Sequence, residues 1–277
     1  MADTEQIAIV RLGPEDAAAG LALSSEAHWN QNEADWRYFL AKGTVFGVRD
    51  DERRLIATAA LLPYSLGSAW ISMVLVTANW RRRGLATKLI DACLQTATKQ
   101  GLTSWLDATP AGAKVYGPLG FTPTLELRRL RLDHAISTKA EAPPSLSPCG
   151  LEKFTARDGL VMGFDRADLL SEFGARPGSR LLSCHNAMAL VRDGRKARHI
   201  GPLFAESADD ALAMVNAIVQ SESGALLIDA VNEQGKFLQG LIGSGWKIER
   251  PFERMRFGRA APQPADLPFA VAGPEYG

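Results

Sequence analysis

The sequence is short of the residues that build several common classes of protein. Three cysteines in 277 residues (Cys93, Cys149, Cys184) show no C-x-x-C spacing and cannot all pair. A disulfide framework and a zinc ribbon are therefore unsupported, reduced thiols are expected, and no metal is implied. Charge of one sign is also missing, since 31 lysines and arginines face 31 aspartates and glutamates. Without a net field, extended binding to nucleic acid or to an anionic membrane is not expected, although a local basic cluster can still hold a small phosphate ligand. There is no run of 18 or more uncharged apolar residues, and residues 1–10 carry Asp3 and Glu5 where a signal peptide would carry cations and an apolar stretch. A cytoplasmic location is the expectation. What is present, 46% hydrophobic and 22% charged residues, excludes disordered and fibrous classes, and the length suits two domains of about 130 residues.

Residues 140–150 read AEAPPSLSPCG, with three prolines in eleven residues and no apolar periodicity. They are expected to form a connector between a domain over 1–139 and a second over 151–259. Residues 260–277 form a tail whose end, PFAVAGPEYG, is too apolar for a solvated terminus and should dock. The halves share landmarks in one order. TVFGVRDDERR (44–54) stands against NAMALVRDGRK (186–196). WLDA is followed, thirteen residues after Asp107, by Gly120-Phe121, and LIDA, sixteen residues after Asp229, by Gly245-Trp246. Two copies of one α/β fold with a mixed sheet are expected, the second diverged.

Punctuation and period give the first copy its elements. Gly13-Pro14 opens a helix to about Ser24. Asn32 caps a second helix with Asp35 at its third position, and Gly43 ends it. Residues 44–48 and 55–62 read as strands, and WISMVLV (70–76) as a strand covered on both faces. From Gly84 the period becomes helical, with Leu85, Leu89, Ile90, Cys93, Leu94 and Ala97 on one face. A strand to Ala108, a short helix over 111–119 and a strand over 121–132 complete the copy.

The chemistry concentrates where that strand becomes that helix, at Trp80-Arg81-Arg82-Arg83-Gly84-Leu85-Ala86-Thr87. Three adjacent arginines repel one another, and a helix N-terminus is already partly positive, so a bound anion would resolve the conflict. Gly84 and Ala86 leave room for a ligand at the unpaired N–H groups, and Thr87 adds a hydroxyl. A solvated basic turn is the alternative. The G-x-G-x-x-G pattern is absent, and so is a Gly-Lys-Ser/Thr phosphate loop.

Together with LDATPAGAKVYGPLGF downstream, this segment resembles the GCN5-related N-acetyltransferase (GNAT) superfamily. Arg81-x-x-Gly84-x-Ala86 matches its Q/R-x-x-G-x-G/A signature, and Tyr116 to Phe121 matches its Y-x-x-x-G-F element. HWNQNEADWRYFL (28–40), LPY (62–64) and LDATPAG look like a bacterial subgroup with an active GNAT domain followed by a degenerate one. The resemblance implies tandem GNAT folds and acetyl-CoA as donor. The pantetheine arm would lie along Val74, Leu75 and Val76, with the diphosphate on Arg81, Arg82, Arg83, Gly84, Leu85, Ala86 and Thr87. Thr109 stands where many members have asparagine near the cofactor.

Acetyl transfer to an amine needs a neutral nucleophile and a proton for the leaving thiolate. Tyr116 suits the second requirement, because a phenol of pKa about 10 facing a thiol near 8.5 makes donation uphill by only about 2 kcal/mol. A packing role is its alternative. Candidate bases are Asp107, otherwise a cap for the following helix, and Glu26 and His28 in the linker between the first two helices; water is a further carrier. Trp29, Asn30 and Trp36 are candidates to line the acceptor site, with core packing the alternative for Trp36. The acceptor is expected to be a small-molecule or peptide amine, and a homodimer is compatible with the sequence. In the second copy Glu206, Asp209 and Asp210 crowd the matching helix start and Leu241 falls near the place of Tyr116, so that copy should be silent. The expectation is direct transfer in a ternary complex; the alternative is a non-catalytic CoA-binding regulatory or scaffold protein.

Overall fold

The computed structural model describes residues 8–133, 145–259 and 266–277. Residues 134–144, which include the first five residues of the expected connector, and residues 260–265 lie outside the described residues. The chain forms two compact units, residues 1–63 with 67–105 and residues 64–66 with 106–277.

In the first unit, β1 (Ile9–Arg11), β2 (Thr44–Arg49), β3 (Leu55–Pro63) and β4 (Ser68–Val76) pair antiparallel in that order. The start of β5 (Thr103–Ala108) then pairs parallel to β4. Helices α1 (Ala17–Glu26), α2 (Glu33–Lys42) and α3 (Leu85–Lys99) fall where period and caps predict them. Asn32 caps α2 as expected: its Oδ1 accepts from Asp35 N–H at 3.1 Å while Asp35 Oδ2 accepts from Asn32 N–H at 2.9 Å. β3 and β4 are buried almost throughout, as an apolar strand covered on both faces must be, and Leu85, Leu89, Ile90 and Cys93 of α3 are buried with them. β1 carries no alternating pattern and was not expected from the sequence.

The second unit contains α4 (Pro110–Tyr116), β6 (Thr122–Leu132), β7 (Ser147–Pro148), α5 (Leu151–Met162), α6 (Ala167–Ala175) and β8 (Arg180–Cys184). There follow β9 (Ala187–Arg192), β10 (Arg198–Ala205), α7 (Ala208–Ser221), β11 (Leu226–Val231), α8 (Gly235–Gly243) and β12 (Lys247–Phe257). Its sheet runs β12-β6-β11-β10-β9-β8-β7, antiparallel except for β10 with β11. Strand β6, from the first half of the sequence, lies between two strands of the second half. A division by compactness therefore falls near residue 105.

The repeat is visible in the hydrogen bonds. Phe121 N–H donates to the Tyr116 carbonyl and Trp246 N–H to the Leu241 carbonyl, across Gly120 (φ 97°) and Gly245 (φ 90°). Leu241 thus holds the place of Tyr116. One expected match shifts by a strand. β9 lies between β8 and β10 as β3 lies between β2 and β4, so NAMALVR is the counterpart of β3, not of TVFGVR. Two residues of Arg-Asp similarity carried too little information to fix the register.

Candidate active site

The first unit builds an opening from its backbone. Among the described residues β4 pairs with β5 through Ser68, Ala69 and Trp70, where the ladder ends. Residues Val74, Leu75 and Val76 lie beyond that point, with Leu75 and Val76 paired on one side to β3. A register shift in β3–β4 accompanies Met73 at φ 51°, whose carbonyl accepts from Thr58 Oγ1 at 2.8 Å. This bulge turns the end of β4 aside. Neither Met73 nor Thr58 was expected to matter, and neither residue type signals a left-handed turn.

After β4 a short 3₁₀ turn over Ala78–Trp80 leads through Arg81 and Arg82 (φ 60°) to Gly84 (φ 75°), which starts α3 without any side-chain cap. The first intrahelical bond runs from Lys88 N–H to the Gly84 carbonyl, so the amides of Gly84, Leu85, Ala86 and Thr87 precede the ladder. A Cβ placed on Gly84 would meet nothing within 4 Å, which marks open space in front of those amides. Not every arginine faces that space freely. Arg81 Nε donates to the Val76 carbonyl at 3.1 Å, and Arg83 donates to the Asn79 carbonyl at 3.2 Å with its guanidinium 4.6 Å from the Trp80 ring centre. Arg81 therefore helps to shape the turn. The donor set, unpaired amides with exposed guanidinium groups, fits a diphosphate.

The candidate bases fare differently. Glu26 accepts from Ala78 N–H at 2.8 Å and from Thr77 Oγ1 at 2.7 Å. These bonds, the backbone one foremost, hold its carboxyl below the usual range, so it fixes the turn and is a poor proton acceptor. Asp107 does not face a cleft. Its fully buried carboxylate receives both Nε and Nη2 of Arg254 at 2.8 Å, and burial raises its pKa against the opposing pull of that arginine. Nor does it cap the following helix: Thr109 does, accepting from Gly112 N–H at 3.2 Å. His28 is exposed in the α1–α2 turn at φ 60°. Trp29 is half-buried beside it and Asn30 buried. Trp36 belongs to the core, with 0% exposure, its Nε1 donating to Ser24 Oγ at 3.0 Å and its ring lying where a Cβ on Gly20 would go. It is not an acceptor wall. Of all these candidates only Glu26 borders the cleft of about 530 Å³ next to the turn, whose other walls include Arg49, Arg53, Thr77, Asn79 and Trp80.

In the second unit Tyr116 ends α4, half-buried, with its ring 5.9 Å from that of Phe121. It lies across Gly112: a Cβ there would come within 2.9 Å of Tyr116 Cε2. That glycine, four residues earlier on one helical face, is a positioning element not anticipated from the sequence.

The descriptions of two family models fit these features. The acetyltransferase (GNAT) family model matches residues 16–121, and a second acetyltransferase (GNAT) domain model matches residues 155–270. The chain belongs to the GNAT acetyltransferase family. It is an acetyltransferase enzyme built from two GNAT domains in a mixed α/β fold. It is 23% identical over 253 residues to YitH, an uncharacterized N-acetyltransferase of Bacillus subtilis (strain 168), across 86% of this chain and 87% of that protein. In fold it resembles a candidate acetyltransferase from Pyrococcus horikoshii (TM-score 0.82, 18% identity, 100% of this chain and 98% of that one). It also resembles a tandem GNAT protein from the clavulanic acid biosynthesis pathway (TM-score 0.67, 14% identity, 92% of this chain and 100% of that one). No helix among the described residues is long and apolar enough to cross a membrane.

Proposed function

We propose that this GNAT enzyme is a cytoplasmic acetyl-CoA-dependent N-acetyltransferase that moves the acetyl group straight to an amine, small-molecule or peptide, in a ternary complex. The observation that carries the reading is the uncapped start of α3 with open space before Gly84, in the chain that follows β4 beyond the end of its ladder with β5. When bound, acetyl-CoA supplies an acyl group activated as a thioester. The amides of Gly84, Leu85, Ala86 and Thr87, with Arg82 and Arg83, hold the diphosphate, and the main chain of Val74, Leu75 and Val76 aligns the pantetheine arm. Tyr116 gives its phenolic proton to the departing thiolate, and Phe121 and Gly112 fix its ring. With Asp107 committed to Arg254 and Glu26 to the turn, the amine's proton leaves through His28 or water. No cysteine is a competing nucleophile on this reading: burial pushes the Cys93, Cys149 and Cys184 thiols up, Cys93 furthest. The second domain is assigned no donor site, since α7 is capped by Ser207 Oγ, which accepts from Asp210 N–H at 3.1 Å and donates to Asp210 Oδ2 at 2.7 Å.

The test follows thiol release from acetyl-CoA across a panel of amines and peptides. Tyr116→Phe should lower kcat by roughly 10²-fold or more with donor affinity unchanged, and the fall should shrink as the leaving thiol becomes more acidic. An unchanged kcat overturns the proton-donor role, and donor binding that survives Gly84→Val overturns the cradle.

A further inference from the structure

The second unit has an opening of its own, and it is filled. β10 pairs with β11 only through Arg198, His199 and Ile200, then the strands part, and a register shift between Ile200 and Leu203 marks the β9 side. This repeats β4 and β5 in the first unit. Between the parted strands runs a piece of the tail. Leu203 N–H donates to the Ala270 carbonyl at 3.0 Å, and the Leu203 carbonyl accepts from Phe269 N–H at 2.9 Å. On the other edge Val231 N–H donates to the Phe269 carbonyl and Val271 N–H to the Asp229 carbonyl, each at 3.0 Å. Ala270 bridges antiparallel to both Leu203 and Ala230. Gly201 is the residue that lets it in, because a Cβ there would collide with the Val271 carbonyl. Side chains lock the segment down. Phe269 meets Phe237 edge-on at 5.3 Å, Arg192 donates to the Ala272 carbonyl at 3.0 Å, and Arg166 and Tyr64 donate to the Tyr276 carbonyl at 3.0 and 2.9 Å.

We propose that the gap between β10 and β11 is a receptor for an extended peptide strand, with Phe269–Val271 of the same chain as resident ligand. The segment satisfies both strand edges as an added strand does and uses small side chains where the walls are close. It takes the course that the donor's arm would take in the first unit, so the second unit stays closed to any extended ligand from solution. That comparison rests on the function proposed above; the peptide site itself rests on the second unit's bonds alone.

The experiment places a protease recognition sequence between Arg259 and Asp266, cuts the folded chain, and adds a fluorescent peptide of residues 266–277. One labelled peptide per chain should exchange in, competed by unlabelled peptide. A peptide with Val271→Pro, which lacks the N–H given to Asp229, should bind roughly tenfold more weakly or worse. Failure of the label to enter a chain that has lost its own tail, or equal binding of the proline peptide, overturns the proposal. If the cut chain unfolds, hydrogen exchange on the uncut chain decides. The amides of Leu203, Val231 and Val271 should be protected, and Gly201→Ala should release these three while the β6–β12 ladder stays protected; free exchange in the parent chain, or no effect of Gly201→Ala, overturns it. Titrating the intact chain with acetyl-CoA separates the readings: zero sites sinks the donor reading and leaves the peptide exchange to decide here, whereas two sites sinks this one.

Discussion

Asp107 can be either a proton acceptor in the reaction or half of a buried ion pair, and Arg254→Met distinguishes the two. Both guanidinium–carboxylate bonds measure 2.8 Å, and the Asp107 side chain is wholly buried. Removing the cation leaves a carboxylate without a partner in the interior, which costs about 3–5 kcal/mol. At about 2 cal/mol/K of unfolding entropy per residue, a chain of this length melting as one should lose roughly 5–9 °C in Tm, and more if the second unit melts alone. Asp107→Asn should cost a similar amount by stranding the arginine, and the double change to Leu and Met should recover most of either loss. Calorimetry gives the Tm values, and thiol-release kinetics corrected for folded protein give kcat. Both single variants should keep the parent pH–rate profile. If Asp107→Asn instead abolishes the ascending limb of that profile while Arg254→Met leaves it intact, the ion-pair reasoning is wrong and Asp107 is the base after all.

The same pair recurs at the repeat-related position, where Arg129 meets Asp229 with two bonds of 2.8 Å and His199 Nε2 lies 2.9 Å from the same carboxylate. Burial lowers the His199 pKa below 6.5 against the pull of Asp229, with Arg192 and Arg129 adding to the fall. Although burial opposes its charge, Asp229 is held well below the ordinary carboxylate range by Arg129 and His199. Both folded values lie below their unfolded ones. Stability should therefore fall as pH drops below about 6.5 through His199 and again below about 4 through Asp229, and Tm measured against pH should lose its upper step in His199→Gln. Trp36→Phe should cost about 1–3 kcal/mol by losing the Ser24 bond and core volume, with acceptor KM unchanged; a raised KM at unchanged Tm would return Trp36 to the acceptor site. Gly112→Ala should lower kcat and spare donor binding, because the added methyl group displaces the Tyr116 ring.

The elements of the first copy were legible because each rests on local signals. Asn32 and Asp35 bracket a helix start, Gly43 closes that helix, and the burial of β4 is written in an unbroken apolar run. The turn proposed as a cradle carries a signal of the same local kind, since Gly84 and the arginines depart from the usual preference for acids at a helix start. Roles set by distant partners were not. Nothing near Asp107 announces Arg254, 147 residues away, and nothing near Trp36 distinguishes a core indole from one lining a cleft. The strand interleaving that puts β6 between β11 and β12 leaves no local trace either, because the apolar pattern of a strand does not name its neighbours.

The two copies separate what the fold supplies from what the chemistry adds. Both have a parallel strand pair whose ladder ends after three residues, and both have a register shift on the opposite edge. The parted backbone is therefore a property of the fold and calls only for something extended to fill it. An anion site needs three further conditions: a helix start free of side-chain caps, no acid in its first turn, and no residue filling the space before it. The first copy meets all three at Gly84. The second fails the first two, through Ser207 and through Asp209 and Asp210, and its gap is taken by the tail. Changing Ser207, Asp209 and Asp210 to Gly, Ala and Ala should thus leave donor stoichiometry unchanged while Phe269–Val271 stays in place. A second donor site in that variant would show that the acids alone exclude the donor, and that the tail is a passenger.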